Sequence, residues 1–102
     1  MNQPSENCIA PEILKQELEK GTDVLVIDVR SKDEFEEKHI PLSLNIPLDI
    51  LEREIRKFDA HYTLVTVCGK GGGRSASAAE KLQLMGREAK WLCGGTSGYF
   101  GM

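Results

Sequence analysis

The sequence predicts an α/β protein in which a parallel sheet is covered by helices on both faces. Three observations lead there. Val24-Leu25-Val26-Ile27 and Leu64-Val65-Thr66-Val67 are continuous runs rich in β-branched residues, the pattern of strands buried on both faces rather than one. Segments with helical spacing stand between the strands, and that alternation builds parallel sheets. Each strong strand also runs straight into a polar or glycine-rich turn, and in open parallel sheets ligands sit at the carboxyl ends of the strands.

The elements follow in order. Residues 1–7 are polar and read as a frayed tail, with one domain over 8–102. Pro11 opens a helix at a favoured first-turn position, Ile13, Leu14 and Leu18 mark its inner face, and Gly21 stops it. After Val24–Ile27 the chain leaves the sheet through Asp28-Val29-Arg30. Ser31 and Glu34 then stand at capping-box spacing, so a short helix runs from about Lys32 to Glu37. Pro41 breaks it, and Leu44–Ile46 is a short strand held between Pro41 and Pro47. Leu48, Leu51, Ile55 and Phe58 recur at helical spacing with charges between them. Beyond Leu64–Val67, a helix presents Ala78, Ala79, Leu82 and Met85 and ends at Gly86. Ala89–Leu92 is the last strand, Gly94-Gly95 turns the chain, and Tyr99-Phe100 packs back on the core.

Composition narrows the function classes. At 102 residues there is room for one core. Lys plus Arg is 13 and Asp plus Glu is 16, a net charge of −3; that balance excludes a general nucleic-acid or anionic-membrane binder but leaves room for a local basic site. No apolar run reaches the roughly 18 residues of a membrane span, and no apolar run follows a basic segment, so the cytosol is the expected compartment. Cys8, Cys68 and Cys93 are an odd, widely spaced set that suggests neither a disulfide framework nor a metal site.

The segment after Val67 carries the chemistry: Cys68-Gly69-Lys70-Gly71-Gly72-Gly73-Arg74-Ser75. Cys68 ends a buried strand, glycines fill four of the next five positions, and Arg74 precedes a helix. Glycines let successive amides turn inward at little conformational cost and form a nest for an anion. The positive end of the following helix adds to that field. Helix N-termini and nearby cations bring cysteine pKa values to roughly 3.5–7.5, and thiolate is the form that attacks. Arg74 offers a bidentate fork for an oxyanion and can brace the loop, and Lys70 a movable charge at the loop tip. The loop lacks G-x-x-x-x-G-K-[ST] and is no nucleotide P-loop.

With these residues in place, the chain resembles the single-domain rhodanese family of sulfurtransferases. The resemblance runs from about Cys8 to Phe100. It rests on Val26-Ile27-Asp28-Val29-Arg30, Glu34-Phe35, His39-Ile40-Pro41, Asn45-Ile46-Pro47, the Cys68-to-Ser75 loop and Gly94-Gly95. It implies a three-layer fold with a five-stranded parallel sheet between helices. It also implies sulfane sulfur carried as a persulfide on Cys68, taken from thiosulfate or a related anionic donor and passed to cyanide or a thiol. The amides of Gly69 to Ser75 would hold the persulfide anion, Arg74 would face or brace the donor, and no cofactor or metal is called for. A sulfur-relay partner protein is compatible with this role.

Three departures from the family pattern stand out. Arg74 lies six residues after Cys68, where the usual sulfurtransferase loop has five. The longer spacing is that of the related rhodanese-fold phosphatases and some arsenate reductases, which makes such an enzyme the main alternative, with a non-catalytic recognition module behind it. Against the phosphatase, Val67 precedes the cysteine where those enzymes have His. Leu42 follows Pro41 where the family commonly has Gly, and Thr96-Ser97-Gly98-Tyr99-Phe100 replaces an aromatic after the glycine pair.

The remaining polar residues read as support. Asp28 and Arg30 hold loops at the sheet edge, His39 packs in its loop, and His61 faces solvent. Trp91 reads as packing. Cys8 reads as incidental. Cys93 reads as a buried thiol, or as a resolving partner of Cys68 if the two last strong strands are neighbours.

Overall fold

The architecture is that of a computed structural model in which residues 7–101 are described. A parallel five-stranded sheet comprises β1 (Cys8–Ile9), β2 (Val24–Asp28), β3 (Leu44–Asn45), β4 (Thr63–Val67) and β5 (Ala89–Leu92), in the order β1-β5-β4-β2-β3. Four helices connect them, α1 (Pro11–Lys20), α2 (Lys32–Glu37), α3 (Leu51–Glu54) and α4 (Gly73–Leu84), and α5 (Gly95–Phe100) follows β5. The tail expected over 1–7 lies outside the described residues except for Asn7.

The two buried runs are the centre of the sheet. β2 and β4 pair over their full length, Val24 opposite Thr63 through Asp28 opposite Val67. Alternate side chains feed two cores, as the period of a strand dictates. Ile27 and Leu64 join Leu51 and Ile55 around α3, and Ala78, Ala79 and Leu82 on α4. Val26, Val65, Val67 and Leu92 join Leu14 of α1 and Ile40 on the opposite face. Fully burying side chains of this size contributes about 1.5–3 kcal/mol each.

The local signals place the connections. Pro11 begins α1, and Gly21 ends it in the left-handed region at φ 73°. Ser31 Oγ accepts from the Glu34 amide while Glu34 reaches back to the Ser31 amide, so the capping box is complete. The stretch from Leu48 to Lys57 is one turn of α-helix flanked by two 3-10 turns rather than a single helix. Pro47 starts it, and it covers the sheet through Leu51 and Ile55.

Several expectations are corrected. Ile13 is 46% exposed and is not on the inner face of α1; Leu14 alone is buried there. β1 is a strand that sequence pattern does not reveal, because two residues carry no periodicity. It pairs with β5, Cys8 opposite Trp91. That pairing brings Cys8 and Cys93 together in a disulfide with Cα atoms 5.3 Å apart. The chain therefore has a disulfide after all, and Cys93 is neither a free buried thiol nor a resolving partner for Cys68. Finally, Gly95–Phe100 forms a short helix, and only Tyr99 packs on the core while Phe100 remains 38% exposed.

Leu42 takes the position that favours glycine. It closes a turn in which the Ser43 amide donates to the Ile40 carbonyl, with φ 73° and 80% exposure. Such a conformation costs a branched side chain roughly 1–2 kcal/mol.

Candidate active site

The sheet order places a crevice between β2 and β4. The chain leaves β2 toward β3 on one side and β4 toward β5 on the other, and ligands bind outside the carboxyl ends of strands at such a reversal. Cys68 follows β4 at this edge. Its side of the crevice is the loop to α4, and the facing side is Asp28-Val29-Arg30.

Cys68 is 5% exposed and is the free cysteine of the chain. Its Sγ lies 3.2 Å from both the Gly72 carbonyl oxygen and Ser75 Oγ, so the thiol proton can be donated to either. Ser75 is fully buried and its hydroxyl is 3.0 Å from the same Gly72 carbonyl. A hydroxyl has one proton and rotates to suit its acceptor. It donates to Gly72 when the sulfur is a thiol and turns to the sulfur when the sulfur is an anion.

The loop amides are available to a ligand. Among the described residues, none of the amides from Gly69 to Arg74 donates to a protein acceptor. The N-cap of α4 is Gly72, which contributes no capping side chain. Gly71, Gly72 and Gly73 all have positive φ, at 85°, 70° and 47°. An anion seated in such a loop would satisfy several of these amides at once.

The loop is supported from beneath by the turn after β5. The Thr96 amide donates to the Cys68 carbonyl at 2.9 Å and the Ser97 amide to the Gly69 carbonyl at 3.0 Å. Thr96 Oγ1 adds a bond to the Gly69 carbonyl at 3.1 Å. The approach is so close that a Cβ on Gly95 would run into the Cys68 carbonyl oxygen and stand 2.6 Å from the Gly71 nitrogen. Gly94-Gly95 therefore does more than turn the chain. At the far end of the loop, Thr66 Oγ1 donates to the Ser75 carbonyl at 2.8 Å and ties the start of α4 to β4.

Arg74 directs its fork at Glu34. Nη1 and Nη2 donate to the two carboxylate oxygens at 3.0 and 3.3 Å. The Arg74 hydrogen bonds, helped by the Ser31 amide, hold the Glu34 carboxyl down to about 2, while Glu34 raises Arg74. The loop is thus braced against the first turn of α2. Lys70 is exposed at the loop tip.

Asp28 and Arg30 form a buried pair. Arg30 Nη2 is 2.7 Å from Asp28 Oδ2, and Nε bonds both carboxylate oxygens. Nη2 also donates to the Lys38 carbonyl at 2.7 Å. Asn45 Nδ2 donates to the carbonyls of Asp28 and Arg30. Together these contacts fix the edge facing Cys68. His39 stacks on Phe35 with ring centroids 3.8 Å apart, and its Nδ1–H donates to the Phe35 carbonyl. The described residues hold no metal-ligating cluster.

Sequence reasoning reached the loop but not its supports. Glu34, Thr66, Gly95 and Thr96 act through contacts whose partners are distant in sequence. Only the Ser31–Glu34 cap gave a local hint, and it explained Glu34 without Arg74.

A three-layer α/β fold with a buried cysteine heading a glycine-rich loop at the sheet's reversal defines the structural class. Comparison with known proteins makes the assignment specific: the family model described as "Rhodanese-like domain" matches residues 10–101, and the chain belongs to that family. It is 30% identical over 78 residues to "Putative sulfur carrier protein YrkF" of Bacillus subtilis (strain 168), matching 76% of this chain and spanning 42% of that protein's length. It is 29% identical over 79 residues to "Thiosulfate sulfurtransferase GlpE" of Coxiella burnetii (strain RSA 331 / Henzerling II), covering 78% of this chain and 74% of the relative. The crystal structure of a rhodanese-like domain protein from Staphylococcus aureus superposes with a TM-score of 0.82 at 30% identity, covering 91% of this chain and 90% of that one.

Proposed function

We propose that the protein is a sulfurtransferase that carries sulfane sulfur on Cys68. The observation that carries this reading is the Cys68 sulfur set against Ser75 Oγ within a loop whose amides from Gly69 to Arg74 have no protein acceptor. Relatives named for sulfur carriage and thiosulfate sulfur transfer support it.

The reaction runs in two displacements. The Cys68 thiolate attacks the outer sulfur of thiosulfate. A sulfur–sulfur bond forms, the bond between that sulfur and the sulfonate sulfur breaks, and sulfite leaves with the electron pair. The resulting persulfide anion takes hydrogen bonds from the loop amides and from Ser75. Then cyanide or a thiolate attacks the terminal sulfur, and Cys68 departs as thiolate. The product is thiocyanate or the acceptor's persulfide. A protein acceptor would make the domain one station of a sulfur relay.

A phosphatase or arsenate-reductase reading fits less well. It asks the Arg74 fork to hold a tetrahedral oxyanion, and that fork is on Glu34. The neighbouring carboxyl, held down to about 2, is ionised at neutral pH and has no proton to give a leaving group.

Cys68→Ser tests the reading. A hydroxyl cannot carry sulfane sulfur, so thiosulfate-to-cyanide turnover should vanish while circular dichroism is unchanged. Undiminished turnover in the folded variant overturns the assignment.

A further inference from the structure

At the turn that supports the loop lies a cleft of about 180 Å³ lined by Arg30, Lys38, Thr96, Ser97 and Phe100. Two of its walls touch the catalytic loop directly, because the Thr96 and Ser97 amides hold the carbonyls of Cys68 and Gly69. Of its two cations, Arg30 is paired and Lys38 is not. Lys38 Nζ rests over the Phe100 ring, 4.3 Å from the centroid, and among the described residues no carboxylate lies within ion-pair distance of it. Arg30 is nine-tenths buried and pairs with Asp28 through Nε and Nη2. Its Nη1 has no protein acceptor, and it is not among the sealed, unpartnered atoms. The Ser97 hydroxyl, on an exposed residue, also makes no hydrogen bond among the described residues. Asp28 cancels Arg30, so the cleft keeps one net positive charge from Lys38, with an apolar rim at Phe100.

Resting on the sulfur-transfer reading, we propose that this cleft is the acceptor subsite and selects small thiols that carry a carboxylate. The carboxylate meets Lys38 Nζ, Arg30 Nη1 and the Ser97 hydroxyl. The methylenes between carboxylate and sulfur lie along Phe100, and the thiol reaches the loop that Thr96 and Ser97 support. One net charge and a small volume suit a monoanion rather than a phosphorylated cofactor. The transfer is the second displacement above: the acceptor thiolate takes the terminal sulfur, Cys68 leaves as thiolate, and no further oxidant or reductant is needed.

The test uses two thiols of similar size, 3-mercaptopropionate and 2-mercaptoethanol, with thiosulfate as donor. In the wild type, kcat/KM should favour the carboxylate. In Lys38→Gln the ratio of the two should fall about tenfold, equivalent to about 1.4 kcal/mol, and Lys38→Arg should restore most of it. An unchanged ratio in Lys38→Gln overturns the proposal. Binding is measured separately by amide chemical shifts on titrating 3-(methylthio)propionate, which has the carboxylate but no thiol. Shifts at Lys38, Ser97 and Phe100 are expected, and their absence in the wild type overturns the subsite whatever the turnover. Failure of Cys68 to take up sulfur while those shifts persist would instead overturn the sulfur-transfer reading, and the acceptor role with it.

Discussion

Gly95 and Gly69 look alike in the sequence and differ sharply in space. A Cβ on Gly95 has no room, because the Cys68 carbonyl and the Gly71 amide occupy it, and its φ of 58° disfavours any side chain. Gly69 has open space around it and no positive φ. Gly95→Ala should therefore displace the loop and lower thiosulfate turnover by at least tenfold, with a stability loss of about 1–3 kcal/mol from overpacking. Gly69→Ala should change either quantity by less than a factor of two to three. Steady-state kinetics and urea denaturation of the two variants check this; equal behaviour would show that the turn after β5 does not support the loop. The loop itself was legible as chemistry, since cysteine, glycines and arginine at that spacing have few structural reasons to occur together. What lay beneath it was not, because the contact between Gly95 and Cys68 depends on how β4 and β5 are placed.

Helix α2 is held at its start by one carboxylate that serves both its cap and its tie to the loop. Glu34 closes the capping box with Ser31 and receives the Arg74 fork. Glu34→Gln keeps a capping residue and removes the charge. The carboxyl is held down to about 2 from an ordinary 4.5, so the folded state favours its ionised form. That stabilisation is complete above pH 4.5 and is lost as pH falls toward 2. Both partners are close to half exposed, so screening limits the effect to about 0.2–1 kcal/mol. The stability gap between wild type and Glu34→Gln should be flat above about pH 5 and shrink below it. Denaturation midpoints across that range measure it, and a gap that grows on acidification would contradict the pairing. α2 was legible from Ser31 and Glu34 alone. α5 was not, because Gly-Thr-Ser-Gly has low helix propensity and the helix forms on hydrogen bonds to the Cys68 loop.

Across the molecule, the central strands and the two-sided cores were readable because buried β-branched runs have few other uses. β1 was not, and with it went the disulfide. The Cys8–Cys93 link spans 85 residues and fastens the edge strand to β5. Closing so long a loop restricts the unfolded chain, and a Cys8→Ser/Cys93→Ser double variant should lose about 2–4 kcal/mol. Identical urea midpoints for the oxidised wild type and the double variant would show that the link contributes nothing.

The central claim is that Cys68 carries sulfur, and intact-protein mass after incubation with thiosulfate tests it most directly. The wild type should gain the mass of one sulfur, about 32 Da, located on the Cys68 peptide and discharged by cyanide. A mass that stays unchanged in the folded wild type, or a gain that persists in Cys68→Ser, would refute it.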